Sequence, residues 1–230
     1  MSRRSDRSTT SPFPERSLSR RRLLAGVGAT GAASVAGCSS LSGPITFEST
    51  PPSVADAALS DTGYSHTQTT TPVVTREVSA FGLSRDIEVT NAVAEYDRAF
   101  DLGPLGLGRY RAAVFAVLST PQISYLGQTF NPVGEMETDE LAEMLQQQYR
   151  NLRNLSADGE FTATVLDTST TVTQYAGVAV LTEAEFEVDV FVLFSEPVAH
   201  GEDFVLSVAV YPQFLAERDH VRRLLSGVRH

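Results

Sequence analysis

The 230-residue sequence contains no lysine, no tryptophan and a single cysteine. Without tryptophan, sugar sites built on stacked indole rings are excluded, and tyrosine is left as the residue that could stack. One cysteine excludes a disulfide within the chain and a cysteine-rich zinc site, so stability must come from the hydrophobic core. A membrane-spanning run is also missing, because the apolar stretch 23–36 has 14 residues against the ~20 that a bilayer needs.

Several familiar catalytic motifs are absent as well. The sequence has no Gly-x-Ser-x-Gly, no His-Glu-x-x-His and no phosphate-binding Gly-Lys-Ser/Thr. Only the segment His200-Gly201-Glu202-Asp203 sets a histidine beside two acids. It could offer a metal or a proton an imidazole and a carboxylate, but a polar turn between two strands is the better interpretation. We therefore expect no catalytic residue, no metal and no cofactor.

Residues 19–40 carry the pattern of an export signal. Arg20 and Arg21 precede the apolar run, which ends in Val-Ala-Gly directly before Cys38. A basic start, a short apolar segment and small residues at a cleavage point indicate a signal peptide, and the arginine pair indicates twin-arginine export. Val-Ala-Gly-Cys resembles a lipobox, in which Cys38 is lipidated and becomes the first mature residue. A signal without lipid attachment, cleaved or uncleaved, is the alternative.

Charge is strongly one-sided once residues 1–37 are removed. The remainder holds 26 acidic residues and 11 arginines, a net charge of −15. Such a surface repels nucleic acid and anionic headgroups, so we expect no nucleic-acid partner. At about 1 M salt the Debye length shrinks to ~3 Å and the self-repulsion is screened. The composition therefore favours a high-salt environment; an acidic surface for a basic partner is the alternative.

The chain divides into three predicted parts. Residues 1–37 form the twin-arginine lipoprotein signal peptide, residues 38–44 a lipidated tether, and residues 45–230 a single domain. The tether is so short that it reaches only about 13 Å, which keeps the domain close to the membrane. Asn154, in Asn-Leu-Ser, is a candidate glycosylation site of a surface protein, although chance matches to this tripeptide are common.

Alternating apolar and polar residues predict a series of strands. The clearest covers residues 186–194, where valine and phenylalanine alternate with acids. Residues 112–118 are apolar throughout, which predicts a strand buried on both faces. Thr138 starts a predicted helix, and an apolar stripe over residues 221–228 predicts a closing one. Strand runs broken by a few helices indicate the α+β class, a mostly antiparallel sheet covered by helices in one domain.

A family resemblance rests on short segments spread over nearly all of the mature chain. They are Ala36-Gly37-Cys38, Ser53-Val54-Ala55-Asp56-Ala57-Ala58-Leu59, Val89-Thr90-Asn91, Asp101-Leu102-Gly103-Pro104-Leu105-Gly106, Arg111-Ala112-Ala113-Val114-Phe115, Leu118-Ser119-Thr120-Pro121-Gln122, Phe130-Asn131-Pro132-Val133-Gly134 and Val210-Tyr211-Pro212-Gln213. Through them the sequence resembles an uncharacterised family of lipoproteins from halophilic archaea, known only as a domain of unknown function. The resemblance implies a halophilic archaeal cell surface and no particular activity. The strand order is also similar to the PsbP-type α-β-α sandwich, a likeness of fold alone.

Residues 119–134 are predicted to form a long connection between a strand and a helix. Loops of this length are uncommon in compact domains and are often functional. Tyr125 and Phe130 would give this loop rigid aromatic groups, which are typical anchors of a partner surface. In the alternative, Ile123, Tyr125 and Phe130 fold back over the sheet as a lid.

Three classes of function fit these observations. The first is a non-catalytic lipoprotein on the extracellular face of the membrane, held by lipid on Cys38, that binds an unknown envelope protein or ligand. The second is a small hydrolase or metal-dependent enzyme whose site is assembled from scattered residues. The third is a transporter-associated ligand-binding lipoprotein, which usually needs two lobes and so a longer chain. The sequence favours the first.

Overall fold

The computed structural model describes residues 44–80, 83–101, 109–125, 128–129, 136–148, 151–181 and 186–230. Most of these residues lie in strands, which are, in chain order, β1 (Ile45–Glu48), β2 (Ser53–Val54), β3 (Ser65–Thr70), β4 (Val73–Ala80), β5 (Leu83–Thr90), β6 (Ala92–Asp101), β7 (Arg109–Pro121), β8 (Ser124–Tyr125), β9 (Gln128–Thr129), β10 (Leu152–Val165), β11 (Thr168–Leu181), β12 (Phe186–Ser195), β13 (Val198–His200), β14 (Asp203–Pro212) and β15 (Val228–Arg229). The helices in the same parts of the chain are α1 (Asp56–Thr62), α2 (Thr138–Gln148) and α3 (Arg218–Ser226).

Eight strands build one large antiparallel sheet. Their spatial order is β10-β11-β12-β14-β7-β6-β3, and the short β13 pairs with the start of β14. The predicted alternation in β12 is confirmed, since Val188 and Val190 are buried while Glu187 and Asp189 are exposed. The prediction for β7 is wrong in one respect: the strand is present, but Val114 is 38% exposed, so only one face is fully buried.

The sheet carries an apolar cluster on each face. β12 shows the division, because Leu193 belongs to one cluster while its neighbours Val192 and Phe194 belong to the other, and successive strand residues point to opposite faces. The first cluster includes α1 and α3, through Ala58, Val221, Leu224 and Leu225. The second includes α2, through Leu141 and Ala142. The helix predicted from Thr138 is therefore confirmed, and so is the closing helix, although it ends at Ser226 and Val228 lies in β15.

The predicted fold class, an α+β sandwich of PsbP type with helices covering the sheet, is wrong. The described chain is mostly β, with a large antiparallel sheet, smaller open sheets and three short helices. The prediction failed because β10 and β11 continue through bulges and polar stretches for 14 residues each, where the sequence shows breaks in the alternation. Helices of 7 to 11 residues are too short to form complete layers over strands of that length.

Smaller sheets complete the fold. β1 runs parallel to β5, and β5 pairs antiparallel with β4. β8 and β9 pair antiparallel as a separate two-stranded sheet, and β7 reaches Pro121, so the connection predicted over residues 119–134 is wrong in part: it contains strands. β15 pairs antiparallel with β2, with Val228 opposite Val54. This last pairing carries the end of the sequence to one end of the large sheet.

None of the helices in the described part of the chain has both the length and the apolar character needed to cross a bilayer.

Candidate functional site

A tight turn places His200 beside Asp203 at one end of the sheet. β13 and β14 are joined through Gly201 and Glu202, and the strand register pairs His200 with Asp203. Gly201 has a φ of 61°, a left-handed conformation that glycine adopts without steric cost from a Cβ. The polar turn predicted for this segment is confirmed.

Asp203 is the centre of a buried polar network formed with Ser119 and His230. Its Oδ2 accepts hydrogen bonds from the backbone N–H of Thr50 at 2.9 Å and from the Ser119 hydroxyl at 3.3 Å. The same oxygen lies 3.0 Å from His230 Nε2, and the Asp203 and His230 side chains are 6% and 5% exposed. A carboxylate removed from water is costly without partners, and these three donors offset that cost.

The network determines which nitrogen of His230 carries a proton. An ionised carboxylate can only accept hydrogen bonds, so Nε2 of His230 donates its N–H to Asp203. In the neutral ring, Nδ1 then keeps its lone pair. That nitrogen faces His200 Nδ1 at 3.0 Å, and the two rings meet edge to face with centroids 5.3 Å apart. His200 accordingly donates from Nδ1 to His230.

An open cleft of about 530 Å³ lies above this pair. We call it the histidine cleft; its lining residues are Pro51, Ser53, Leu166, Asp167, His200, Ser226, Val228, Arg229 and His230. Asp167 and Arg229 contribute one formal charge of each sign. The Arg229 guanidinium is held in place, because its Nη1 donates to the carbonyl of Val228 at 2.8 Å. The cleft thus combines fixed polar groups below with an exposed imidazole at its edge.

Ser119, His230 and Asp203 are the residue types of a serine-hydrolase triad, but they do not have its geometry. In a triad the histidine contacts the serine through one ring nitrogen and the acid through the other. Here Ser119 Oγ and Asp203 Oδ2 both lie 3.0 Å from the same atom, His230 Nε2. Ser119 is also fully buried, so its hydroxyl has no access to a substrate. The arrangement positions His230; it does not activate Ser119 as a nucleophile.

A second buried carboxylate, Glu217, forms a separate network. It accepts hydrogen bonds from Tyr64 at 3.2 Å and from Arg98 at 2.9 Å, and it lies 3.3 Å from His220. Burial raises the pKa of the Tyr64 hydroxyl strongly, and the neighbouring negative charge of Glu217 adds to the effect. Glu217 directly precedes α3 and Arg98 lies in β6, so this network holds the helix to the sheet. None of its residues lines the histidine cleft.

A family model described as a domain of unknown function, DUF6517, matches residues 51–229, which is most of the chain. The chain belongs to the DUF6517 family. The predicted membership of an uncharacterised family is thereby confirmed. No curated protein matches the sequence. The DUF6517 match contains Ser119, His200 and Asp203 and ends one residue before His230, so it covers most of the network but not the histidine that completes it.

The residues singled out in the sequence fall mostly away from this cleft. Arg20, Arg21, Cys38 and Phe130 lie outside the residues that the structure describes. Tyr125 ends the short strand β8, and its side chain also lies outside that description. The partner surface assigned to Tyr125 and Phe130 therefore stays a prediction.

Asn154 is the one predicted site residue whose surroundings are described. It is exposed in β10, with a φ of 56°, where the register with β11 shifts between Arg153 and Ser156. Asparagine tolerates this left-handed conformation better than most residues. Glycosylation of Asn154 stays a prediction; the side chain that would carry the glycan is exposed.

Sequence reasoning missed the pairing of His200 with His230. The sequence predicts the turn from His200 to Asp203, which the structure has, but it assigns no role to His230. The apolar stripe that ends at Val228 predicts only a helix, whereas Val228 starts β15. The contact between the two histidines depends on β15 pairing with β2, and neither two-residue strand has a recognisable pattern of its own.

Proposed function

We propose that this chain is a lipid-anchored protein of the extracellular membrane face that binds a ligand, without catalysis, in the histidine cleft. The observation that carries the binding role is the cleft itself, about 530 Å³ in volume, with polar residues at its floor and wall. Small-molecule sites commonly measure ~300–1,000 Å³. A cleft of this kind is the natural binding site in the described part of the chain.

The floor of the cleft supports this role because it is fixed in advance. His230 is held by Asp203 and Ser119, and Asp203 is held in turn by the backbone of Thr50. A ligand that contacts His230 therefore orders little that is not already ordered, which lowers the entropic cost of binding. His200 is exposed and adds a group that a ligand can reach from solvent.

The non-catalytic part of the proposal is supported by the geometry of Ser119. In the network of Ser119, His230 and Asp203 the serine is buried, and its hydroxyl meets the same ring nitrogen as the aspartate, so the histidine is not placed to take its proton. A hydrolase that used Ser119 as its nucleophile would require this residue to leave the core. Binding in the histidine cleft leaves Ser119 where it is.

The location is supported by the sequence. Arg20 and Arg21, the short apolar run and Val-Ala-Gly before Cys38 occur in the order of a twin-arginine lipoprotein signal. The lysine-free remainder, with its net charge of −15, suits the molar salt in which a halophilic archaeon lives. We accordingly infer that the domain lies close to the outer face of the cell membrane, on a short tether.

A unique thiol tests the binding role. Cys38 is the only cysteine and is blocked once it carries lipid, so Ser53→Cys would give the cleft the only free thiol. Ser53 is exposed and lines the cleft. A photo-crosslinker attached to Ser53→Cys is activated on intact cells in high salt. The mass spectrum of the intact protein should then show one discrete adduct. The matched control is Thr75→Cys, on an exposed residue of β4 away from the cleft lining. The same adduct from both positions, or none from Ser53→Cys, would contradict a ligand site in the cleft.

A further inference from the structure

We propose that His200 and His230 form a two-ligand site for a divalent first-row transition-metal ion, with Cu(II) bound more tightly than Zn(II). The proposal deepens the function proposed above and rests on the histidine cleft being the binding site. It differs from the expectation, drawn from the sequence, that the protein binds no metal. That expectation arose because the sequence gives no sign that these two histidines lie side by side.

The spacing of the two nitrogens fits a shared metal. His200 Nδ1 and His230 Nδ1 lie 3.0 Å apart. With metal–nitrogen bonds of about 2.0–2.1 Å, two imidazoles on one ion have their nitrogens about 2.9 Å apart at a right angle and about 3.3 Å apart at the tetrahedral angle. The observed separation falls between these values. Replacing the shared proton by an ion requires the exposed His200 ring to turn until its Nδ1 lone pair points at the ion.

Asp203 gives His230 the second contact that metal-binding histidines usually have. A ligating imidazole normally donates its other N–H to a carboxylate, which fixes the tautomer and makes the ligating nitrogen more basic. His230 Nε2 lies 3.0 Å from Asp203 Oδ2 in this manner, and its Nδ1 is left facing His200. Asp203 is thus a positioning residue: it does not face the ion but holds His230 in the metal-binding tautomer.

Proton balance requires only a change of tautomer at His200. Without metal, His200 Nδ1 carries the hydrogen shared with His230 Nδ1. On binding, that proton leaves Nδ1 and Nε2 of the same ring takes one up from water, so His200 stays neutral and both Nδ1 lone pairs face the ion. His200 is exposed, so solvent can carry the proton. No oxidant or reductant is involved.

The donor set determines which ions fit. No group of three or more His, Cys, Asp or Glu side chains in the described parts of the chain is arranged to hold a metal. The pair therefore leaves coordination positions open toward the cleft, for water or for a ligand held there. Two imidazoles without thiolate suit Cu(II), Ni(II) and Zn(II), and affinity rises to Cu(II) and falls again at Zn(II). Mg(II) and Ca(II) prefer oxygen ligands and are excluded by this donor set.

Metal titration of the full chain tests the site, with the protein purified in detergent without a histidine tag. Calorimetry with Cu(II), and separately with Zn(II), should show one strong site per chain in the wild type. His200→Ala should weaken Cu(II) binding by at least about 100-fold, the lower end of what a second linked ligand adds. The matched control is His66→Ala, which removes an exposed histidine outside the cleft and should bind as the wild type does.

A spectroscopic measurement makes the assignment specific. The electron paramagnetic resonance spectrum of the Cu(II) form should show coupling to two imidazole nitrogens, and the residual Cu(II) signal of His200→Ala should show at most one. His200 is exposed, so the melting temperature of His200→Ala should equal that of the wild type. His200→Gln serves as a second variant that keeps a polar side chain. Cu(II) binding that is equal in wild type, His200→Ala and His200→Gln would overturn the proposal, as would a wild type that binds no Cu(II).

The two proposals fail separately. If Ser53→Cys yields its specific adduct while the wild type binds no Cu(II), ligand binding in the cleft stands and the metal assignment is wrong. If Cu(II) binds through His200 while Ser53→Cys yields no adduct, the metal site is supported and the proposal of a larger ligand in the cleft is wrong.

Discussion

His230 Nε2 lies 3.0 Å from Asp203 Oδ2, and both side chains are almost fully buried beneath the histidine cleft. This contact joins the first residue of β14 to the residue that follows β15. It also brings together three donors on one carboxylate oxygen, from Thr50, Ser119 and His230. The network therefore has two roles: it closes one end of the large sheet, and it fixes the floor of the cleft.

Removing the carboxylate tests the structural role of the network. Asp203→Ala removes the acceptor of the buried Ser119 and His230 donors, and leaving a buried donor without its acceptor costs about 1–3 kcal/mol. We expect a loss of that size in the free energy of unfolding, measured with urea in high salt. The control is Glu202→Ala, an exposed neighbour in the same turn, for which a change within about 0.5 kcal/mol is expected. Equal effects of the two substitutions would show that the network contributes no more to the free energy of unfolding than an exposed turn residue does.

Local patterns in the sequence predicted individual elements well and their assembly poorly. The alternation in β12 and the apolar stripe of α3 are local, and both were predicted correctly. The length of β10 and β11 was not, because their outer residues are polar and their register contains bulges. Whether such residues continue a strand depends on the neighbour with which they pair, and this information is not contained in a short window of sequence.

The candidate site was beyond prediction for the same reason. Ser119 and His230 are 111 residues apart in the sequence, and each occurs in an unremarkable context. Their contact follows from two pairings, β14 with β7 and β15 with β2. A turn motif predicted the conformation of residues 200–203, but no local signal connects that turn with the last residue. Long-range pairing creates the site, so the residues can be recognised as a group only after the fold is known.

Buried tyrosines predict a loss of stability at alkaline pH. Burial raises the pKa of Tyr175 to about 12, although a hydrogen bond to Thr138 opposes the shift; burial also raises the pKa of Tyr96 and Tyr211. An unfolded tyrosine ionises near pH 10. Between about pH 10 and pH 12 the unfolded state therefore loses protons that the folded state keeps, and stability falls with rising pH. Below pH 10 this contribution is fully present.

A tyrosine variant isolates that effect. Tyr175→Phe keeps the buried ring but removes the group that ionises, so its urea midpoint should fall less between pH 9 and pH 11 than that of the wild type. At pH 7 Tyr175→Phe should be the less stable protein, since the hydroxyl donates to Asp139 at 2.7 Å. Parallel pH profiles for the two proteins would show that Tyr175 does not ionise on unfolding.

The acidic surface predicts stabilisation by salt. With a net charge of −15 after residue 37, like charges oppose compaction until counterions screen them, and at about 1 M salt the Debye length is only ~3 Å. The melting temperature of the protein should rise as sodium chloride increases from low to molar concentration. A flat or falling melting temperature would indicate instead that the acidic surface serves a basic partner.

Charge removal provides the control for the salt titration. Glu187 and Asp189 are exposed on one face of β12, two positions apart and therefore neighbours on that face. The pair Glu187→Gln and Asp189→Asn should raise the melting temperature at low salt and reduce its dependence on salt. If both proteins respond equally, the stabilisation comes from a general effect of salt on apolar burial, and not from screening of this surface.

Attachment of lipid to Cys38 decides the proposal, because the location of the domain and its tether both depend on it. The most direct measurement is separation of membranes from soluble fractions, at high salt, for wild type and Cys38→Ser. We expect the wild type with the membranes and Cys38→Ser exported and soluble, while Arg20→Lys with Arg21→Lys leaves precursor inside the cell. Recovery of Cys38→Ser with the membranes at the wild-type level would contradict lipid anchoring.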